Sequence, residues 1–365
     1  MNKKLIYFTN IISPYRHDFF NQLSVYFELT VVYQAEFFGG VPAEWHPKNS
    51  DFNYKAVFLS DGIIEEKKIK LSAIPILFKD WDYIVFTNYG YITEFVYILI
   101  SILFRKKFII EVDGMIDKKD TYFKKIMKEL IFKKASRVFS PSRASDKVIY
   151  KYNSKSIIDR YPFSSVCKKD VLKKTLSKME KSSLKKQYGF SENDFLVISI
   201  GQFVHRKGFD ILLESAKKID TGVTLMIVGG QPDQKLLLLA REAKVKVIFQ
   251  SFHNKNVIYD LLRMANVFAL ATREDVWGLV INEALACGLP IITTDKCNSG
   301  VELIVNGWNG FIIKNESCEE LSDRINTLFR DTKLLEDISS NALLTARKYT
   351  IETMVDAHVN LLNDS

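Results

Sequence analysis

The sequence is poor in cysteine, with four among 365 residues, at Cys167, Cys287, Cys297 and Cys318. None belongs to a Cys-x-x-Cys pair, and no histidine stands at zinc-finger spacing from them, which argues against a structural zinc site. Such sparing use of cysteine is typical of a reducing compartment. We therefore expect the four thiols to be small core side chains.

Long apolar segments are lacking as well. The longest run covers residues 95–104, and its length is about half of what a membrane-spanning helix requires. This run predicts a buried core helix.

Residues 1–4 lead directly into Leu5–Phe8, and this apolar segment is too short for the apolar region and cleavage site of a signal peptide. We therefore expect a cytoplasmic protein.

The charge of the chain is unevenly distributed. Hydrophobic residues make up 47% and charged residues 26% of the sequence, which is ordinary globular composition and argues against disorder. The net charge is +8, but residues 101–200 contain 24 Lys and Arg against 11 Asp and Glu, a local charge of +13, so the other residues sum to −5. This local excess indicates an anionic partner: a nucleic acid, a membrane surface or a phosphorylated substrate.

Short apolar runs alternate with helical patterns along the whole chain. The runs that predict strands are Leu5–Phe8, Leu29–Tyr33, Ala56–Leu59, Tyr83–Phe86, Phe108–Val112, Arg137–Ser140, Phe195–Ile200, Thr224–Val228, Val245–Phe249, Val267–Leu270, Pro290–Thr293 and Gly310–Ile313. Most are continuously apolar, which is typical of strands buried on both faces of a parallel sheet. The alternation in both halves predicts an α/β fold with two doubly wound, Rossmann-like domains.

Residues 171–190 interrupt this alternation, because they are rich in Lys and Ser and contain no strand pattern. We expect an N-terminal domain over residues 1–170, a linker over 171–190 and a C-terminal domain over 191–348. A last helix, within residues 349–365, could pack back on the first domain.

Two cations lie where the first strand of the second half leads into a helix. The strand ends at Gly201, Gln202 follows, and Arg206 and Lys207 precede a helix that begins near Gly208. Cations beside a helix N-terminus form a site for a diphosphate, and open α/β sheets bind ligands at this edge. The alternative is a solvated charge pair on a surface turn.

A second strand-to-helix loop carries acidic residues. Asp275 follows the strand, Gly278 opens a helix, and Glu283 lies about one and a half turns into that helix. A carboxylate here can accept two ribose hydroxyls, and the free amides of Gly278, Leu279 and Val280 can bind a phosphate. The alternatives are a capping role for Asp275 and an ordinary surface position for Glu283.

A third loop, within residues 298–310, contains Asn-Gly and Gly-Trp-Asn-Gly, which are typical turn sequences. It could present further amides to a ligand.

Together, the three loops resemble family 4 of the glycosyltransferases, the retaining enzymes of the GT-B fold, from about Phe195 to Ile313. The family has two acids eight positions apart, then Ala, a small residue, Gly, a hydrophobe and Pro, which here are Asp275, Glu283, Ala284, Ala286, Gly288, Leu289 and Pro290.

The resemblance implies a role for each matching residue. Glu283 would hold the ribose hydroxyls of the donor, Asp275 would face the transferred sugar, and Lys207 with Arg206 would neutralise the leaving diphosphate. Because Lys207, Arg206 and the helix amides supply a positive field without a divalent metal, we expect no metal. We expect no cofactor, and the only further ligand expected is the donor, a nucleotide diphosphate sugar, which in the family is most commonly a uridine diphosphate (UDP) sugar. The resemblance also implies retention, with the acceptor hydroxyl deprotonated by the donor's own phosphate. Two positions depart from the family: Asp275, where Glu is usual, and Gln202, where Arg is common.

The first half resembles the family less closely. Ser13 is placed as a helix N-cap with Pro14 in the first turn, and Pro14-Tyr15-Arg16 is similar to an opening seen in some members. This implies acceptor-side contacts from Ser13, Tyr15 and Arg16, although the double glycine often found nearby is absent. Asp113 ends a strand where many relatives have His. It is a candidate sugar contact and catalytic residue, with an Asx-turn as the alternative.

Residues 118–134 have the pattern of a basic amphipathic helix. Lysines flank an apolar stripe of Tyr122, Phe123, Ile126, Met127, Leu130 and Ile131. The pattern favours an anionic membrane surface, at the inner face of the plasma membrane, and the alternative is a domain helix with its stripe in the core. Nucleic acid is disfavoured, because the aromatic residues are not interleaved with the basic ones as a stacking platform requires.

We therefore expect a retaining, metal-independent glycosyltransferase that uses a nucleotide-sugar donor. The expected acceptor is a lipid-linked oligosaccharide or a polysaccharide of the cell surface, such as lipopolysaccharide or capsule. Two alternatives stay open. A nucleotide-sugar epimerase of the same fold would share the donor site, and the departures at Asp275 and Gln202 also permit a non-catalytic protein that binds nucleotide sugars or membrane surfaces.

Overall fold

The computed structural model describes residues 2–36, 52–64 and 68–364. The chain divides into two compact units. The first contains Met1–Ser165 together with Thr350–Ser365, and the second contains Val166–Tyr349.

The first unit is built on a sheet of seven strands: β1 Lys4–Thr9, β2 Glu28–Tyr33, β3 Lys55–Phe58, β4 Tyr83–Phe86, β5 Ile109–Glu111, β6 Arg137–Ser140 and β7 Ile158–Arg160. All are parallel, in the order β3-β2-β1-β4-β5-β6-β7. Its helices are α1 Pro14–Leu23, α2 Ile74–Leu77, α3 Ile92–Leu103, α4 Tyr122–Lys134, α5 Arg143–Tyr152 and α14 Ile351–Asn363. The strand order reverses between β1 and β4, as in Rossmann folds.

The second unit repeats this architecture with six strands: β8 Phe195–Ile200, β9 Val223–Val228, β10 Lys246–Gln250, β11 Val267–Leu270, β12 Ile291–Thr294 and β13 Gly310–Ile313. They are parallel, in the order β10-β9-β8-β11-β12-β13. Its helices are α6 Lys178–Gln187, α7 Phe209–Ser215, α8 Gln234–Arg241, α9 Lys255–Met264, α10 Leu279–Ala286, α11 Asn298–Leu303, α12 Cys318–Arg330 and α13 Thr332–Ala346. Here the reversal lies between β8 and β11.

The predicted α/β class with two Rossmann-like domains is confirmed, and all twelve predicted strands occur within one residue at each end. Their continuous apolar character follows from burial, since β1, β8, β9, β11 and β12 are almost entirely inaccessible. Strand β7 was not predicted. It has three partly exposed residues at the sheet edge, two of them charged, so it lacks the apolar run that marks the others.

Residues 171–190, expected as a linker, lie in the second unit and contain helix α6. Ser177 and Glu180 form a capping box at its start. Lys185 is buried and donates to the carbonyl of Asp194 at 2.6 Å. This Lys- and Ser-rich segment therefore forms a helix. The capping box satisfies backbone N–H groups at its start, and the buried stem of Lys185 supplies packing that apolar side chains supply in other helices.

The C-terminal helix α14 belongs to the first unit, where it packs against α1. Arg137 Nη1, on β6, donates to the carbonyl of Leu361 at 2.9 Å. The chain thus returns to its first unit after completing the second.

Helix α3 contains the longest apolar run, and only part of it is buried. Tyr97 and Ile98 are inaccessible, whereas Leu99, Leu103 and the following Phe104 are exposed. The expectation of a buried core helix is therefore wrong for one face of α3. Among the residues that the structure describes, no helix is long and apolar enough to cross a bilayer.

Candidate functional site

The loops that follow β8 and β11 meet where the strand order of the second sheet reverses. Arg206, in the first loop, accepts at its carbonyl from the backbone N–H of Arg273 at 2.8 Å and from Thr272 Oγ1 at 2.7 Å. These two bonds join the loops. Ligands of open α/β sheets bind at such a reversal point, so the predicted donor residues lie at a favourable place.

Gly208 permits this close approach of the two loops. Its backbone is left-handed, with φ of +66°, and a Cβ at this position would lie 1.9 Å from the carbonyl oxygen of Ala271. Gly201 is not required in the same way, since a Cβ there would lie 3.5 Å from the side chain of Lys207, an ordinary van der Waals contact. Gly208 therefore makes room for the neighbouring loop.

Lys207 and Asp275 form an ion pair across the loops through Nζ and Oδ2. The side chains are only 12% and 9% exposed. Arg206 Nη1 lies 3.7 Å from Asp275 Oδ1, and this arginine is 47% exposed. One carboxylate is thus flanked by two cations, so these three side chains together carry one positive charge. Gln202 is exposed on the same loop and adds no charge.

The third predicted loop holds the Asp275 segment in place. The N–H of Asp275 donates to the carbonyl of Lys296 at 3.0 Å, and the N–H of Asn298 returns a bond to Asp275 at 3.2 Å. The N–H of Ser299 donates to the carbonyl of Trp277 at 3.0 Å. The amides of Asn298 and Ser299 were expected to face a ligand. They instead donate to carbonyl groups of the chain and hold the Asp275 segment in place.

Helix α10 has one accessible face. It begins after Gly278, whose φ is +91°. Ile281, Asn282, Ala284, Leu285 and Ala286 are buried, and the partly exposed positions are Leu279, Val280 and Glu283. The predicted donor contacts on this helix therefore share one face. Asp275 lies in the loop just before this helix.

Tyr259, on α9, is a neighbour of this face that the sequence did not indicate. Burial, followed by the charge of Glu283, raises the pKa of Tyr259 well above its ordinary value. A position on an amphipathic helix carries no sequence signal for such an electrostatic influence.

The first unit groups its predicted residues around Asp113, just after β5. Arg16 Nη2 forms an ion pair with Asp113 Oδ1, and Tyr15 Oη donates to Asp113 Oδ2 at 2.8 Å. Both carboxylate oxygens therefore contact α1, which argues against a simple Asx-turn. Arg16 is buried, and its Nη1 contacts Glu111. Ser13 occupies the N-cap, but its side chain makes no capping hydrogen bond.

Glu111 is the residue of this group that the sequence did not indicate, because it reads as part of an apolar strand. It is fully buried. Burial alone would raise its pKa, but Arg16 and His358 together lower the pKa of Glu111 to about 2.

The basic helix α4 exposes much of its apolar stripe. Tyr122 and Phe123 are 82% and 67% exposed, and Ile126 is also accessible. Of the whole helix, only Ile131 and Phe132 are buried. The alternative in which the stripe lies in the core is therefore wrong for its first two turns.

One Asp-x-Asp sequence, a pattern that would suggest a divalent metal, occurs in the chain at Asp80-Trp81-Asp82. Asp82 Oδ2 accepts from the N–H of Lys4 at 2.7 Å, so the sequence lies at the amino ends of β1 and β4, at the opposite edge from Asp113. Within the described ranges, no group of three or more His, Cys, Asp and Glu residues is arranged to hold a metal ion.

Residues 180–344 match the family of glycosyl transferases group 1. N-acetyl-alpha-D-glucosaminyl L-malate synthase of Bacillus anthracis is 27% identical over 168 residues, 45% of this chain and 44% of that protein. N,N'-diacetylbacillosaminyl-diphospho-undecaprenol alpha-1,3-N-acetylgalactosaminyltransferase of Campylobacter jejuni is 26% identical over 166 residues, 46% of this chain and 44% of that protein. The chain thus spans about half the length of the curated relatives it matches.

Solved structures resemble the whole chain. Sucrose-phosphate synthase of Thermosynechococcus elongatus has a TM-score of 0.79 at 14% identity, over 100% of this chain and 99% of that one. HepE of Anabaena, in complex with UDP and glucose, has a TM-score of 0.75 at 18% identity over 100% of both chains. The glycosyltransferase WaaG has a TM-score of 0.67 at 14% identity, over 99% and 100%. The chain therefore has the GT-B fold of these proteins, and its second unit matches the glycosyl transferases group 1.

Proposed function

We propose that this protein is a retaining, metal-independent glycosyltransferase that transfers a sugar from a UDP-sugar to a lipid-linked or polysaccharide acceptor. The observation that carries the proposal is the grouping of Lys207 and Arg206 around Asp275, beside the accessible face of α10. This arrangement lies at the reversal point of the second sheet, where a nucleotide would bind.

The chemistry needs a positive field more than a nucleophile. A nucleotide sugar carries its own leaving group, and negative charge grows on the diphosphate as the glycosidic bond breaks. Lys207 and Arg206 can stabilise that charge, and so can the free amides at the start of α10. Bound diphosphate would compete with Asp275 for Lys207 Nζ, which would free the carboxylate to contact the transferred sugar.

The position of Glu283 fits the ribose of the donor. It lies one turn after Leu279 on the accessible face of α10, so a nucleotide whose phosphates meet the first amides would bring its ribose toward this carboxylate. No residue is assigned as the base for the acceptor, because in a retaining reaction of this kind the donor phosphate takes the proton.

The names of similar proteins support the identities of donor and acceptor. HepE has been solved with UDP and with UDP-glucose, which favours a uridine nucleotide here. The relative from Campylobacter jejuni is named for a diphospho-undecaprenol acceptor, and a Staphylococcus aureus relative is named for capsular polysaccharide biosynthesis. We place the reaction in cell-surface glycan synthesis at the cytoplasmic face of the plasma membrane.

The outer surface of the first unit supports membrane contact. Tyr122, Phe123 and Ile126 of α4 are exposed beside the lysines of residues 118–134. Apolar side chains that insert at the headgroup level and lysines that meet anionic lipid act together in such helices. This surface would bring the enzyme to a lipid-linked acceptor.

Vesicle co-sedimentation tests the membrane contact. Phosphatidylserine-containing vesicles should retain the wild type and lose a Phe123→Ser, Ile126→Ser double variant. Leu238→Ser, an exposed position of the second unit, is the matched control and should sediment like the wild type. Equal recovery with neutral and anionic vesicles would remove the membrane contact from the proposal.

The donor is tested by thermal shift with a panel of nucleotide sugars, since a bound donor raises the melting temperature by mass action. Radiolabelled sugar from the stabilising donor is then offered to a bacterial lipid extract, and label in the organic phase is measured. Lys207→Ala and Glu283→Ala should abolish transfer. Lys218→Ala removes an exposed lysine that pairs with Glu319, and it should leave transfer unchanged.

The same assay separates the two alternatives. Conversion of the donor to its epimer without acceptor would favour the epimerase. Donor binding without turnover by the wild type, under conditions where the variants still fold, would favour the non-catalytic protein.

A further inference from the structure

His358, on the C-terminal helix, is joined to the acceptor-side residues of the first unit. It is fully buried. Its Nδ1 lies 2.7 Å from the carbonyl oxygen of Met354, and its Nε2 lies 3.3 Å from Glu111 Oε2. Both ring nitrogens therefore face oxygen atoms, one on the helix of His358 itself and one on Glu111.

Glu111 transmits this contact to Arg16. Oε2 of Glu111 accepts a hydrogen bond from Tyr7 Oη at 3.0 Å and also contacts His358. Oε1 forms an ion pair with Arg16 Nη1. Every partner of Glu111 is itself buried. The position of Oε1, and with it the position of the guanidinium, therefore depends on the bonds made at Oε2.

Arg16 connects this buried group to the surface. Its second amino group contacts Asp113 Oδ1, and Asp113 is 39% exposed whereas Arg16 is 3% exposed. Tyr15 Oη holds the other oxygen of Asp113 at 2.8 Å. Asp113 is thus the member of the set that solvent or a substrate can reach.

We infer that His358 is a positioning residue for the acceptor: through Glu111 and Arg16 it orients the Asp113 carboxylate to accept a hydrogen bond from a sugar hydroxyl. The role of Asp113 toward an acceptor rests on the proposed function. The positioning itself rests on contacts within the first unit, and it makes α14 part of the acceptor side.

Carboxylate footprinting tests the positioning without any substrate. The folded full-length chain is treated with a carbodiimide and glycine ethyl ester, and labelling of Asp113 is measured by peptide mass spectrometry relative to exposed Glu28. His358→Ala should raise Asp113 labelling by about five-fold, the factor that corresponds to about 1 kcal/mol of lost orientation. His358→Gln, which can still donate to Glu111, should restore most of the protection.

Leu362→Ala is the matched control, because Leu362 is a fully buried apolar residue of the same helix. It should lower the melting temperature comparably and leave Asp113 labelling at the wild-type value. Wild-type labelling in His358→Ala, or an equal rise in Leu362→Ala, would overturn the inference.

The transfer assay with the lipid extract reads out the consequence for the acceptor. His358→Ala should raise the extract concentration that gives half-maximal rate while leaving the donor KM unchanged. If the wild type transfers no sugar, the proposed function fails, and the footprint still decides whether His358 orients Asp113.

Discussion

The ammonium of Lys207 contacts Oδ2 of Asp275, so a cation in the loop after β8 is paired with an acid in the loop after β11. A diphosphate that binds Lys207 has to displace or share this carboxylate. We therefore expect the affinity for a diphosphate to depend on the position of Asp275.

Removing Asp275 should separate binding from transfer. Asp275→Asn deletes a competitor for Lys207, so UDP should bind a few-fold more tightly, while sugar transfer should fall. Lys207→Ala should instead weaken UDP binding by about 1.5–3 kcal/mol, the usual worth of a hydrogen bond to a charged group. Calorimetric titration with UDP and initial transfer rates give the two quantities. Weaker UDP binding by Asp275→Asn would show that the carboxylate does not compete.

Gly208 should tolerate no side chain. Gly208→Ala adds about 1–2 kcal/mol of left-handed strain and places a Cβ against the carbonyl of Ala271. Gly307→Ala is the control, because Gly307 has a similar φ of +76° and a Cβ there meets no described atom within 4 Å. Thermal unfolding should show a clearly larger loss of stability at position 208. Equal losses at the two positions would mean that the loops can separate without cost.

Glu111 should make the first unit sensitive to acid. Its pKa is lowered from 4.5 to about 2, so its stabilisation is complete above about pH 4.5 and is lost as the pH falls toward 2. The shift corresponds to about 3 kcal/mol. Glu111→Gln should therefore be less stable than the wild type at pH 6, with the difference shrinking in acid. Urea unfolding at several pH values measures it, and a pH-independent difference would contradict the assignment.

Glu94, at the start of α3, should have the opposite effect. Burial raises the pKa of Glu94 from 4.5 to about 8, so the folded chain holds a proton that the unfolded chain releases. Stability should fall by about 1.4 kcal/mol per pH unit between these values. Glu94→Gln keeps an acceptor for Gln34 Nε2 and should be more stable than the wild type at pH 8.

The matched control for Glu94 is the exposed Glu28. Glu28→Gln should leave the pH dependence of unfolding unchanged, as followed by urea titration between pH 5 and pH 8. The assignment fails if Glu94→Gln retains the wild-type slope.

Much of the fold could be read from local pattern. Continuously apolar strands and the helices between them predicted both sheets, because burial on both faces leaves a direct mark on the sequence. Strand β7 and helix α6 were missed for the complementary reason. One is an edge strand with Asp159 and Arg160, and the other is held by a capping box and a buried Lys185.

The candidate donor site was predictable to a similar degree. Gly201, Lys207, Asp275 and Glu283 follow strand ends, and a parallel sheet brings such ends to one edge. The direct pairing of Lys207 with Asp275 was not predictable, since it depends on how closely Gly208 lets the two loops approach.

The sequence by itself determined two parallel sheets, the order of their elements and the edge at which the second unit carries its charges, since these follow from periodicity and turn chemistry. Only the tertiary structure decided that Glu111 is a buried anion shared by Arg16 and His358, two residues that carry no common pattern. Glu111 and His358 are 247 positions apart, and a contact over that separation arises from the packing of α14 on α1, which no local stretch of sequence encodes.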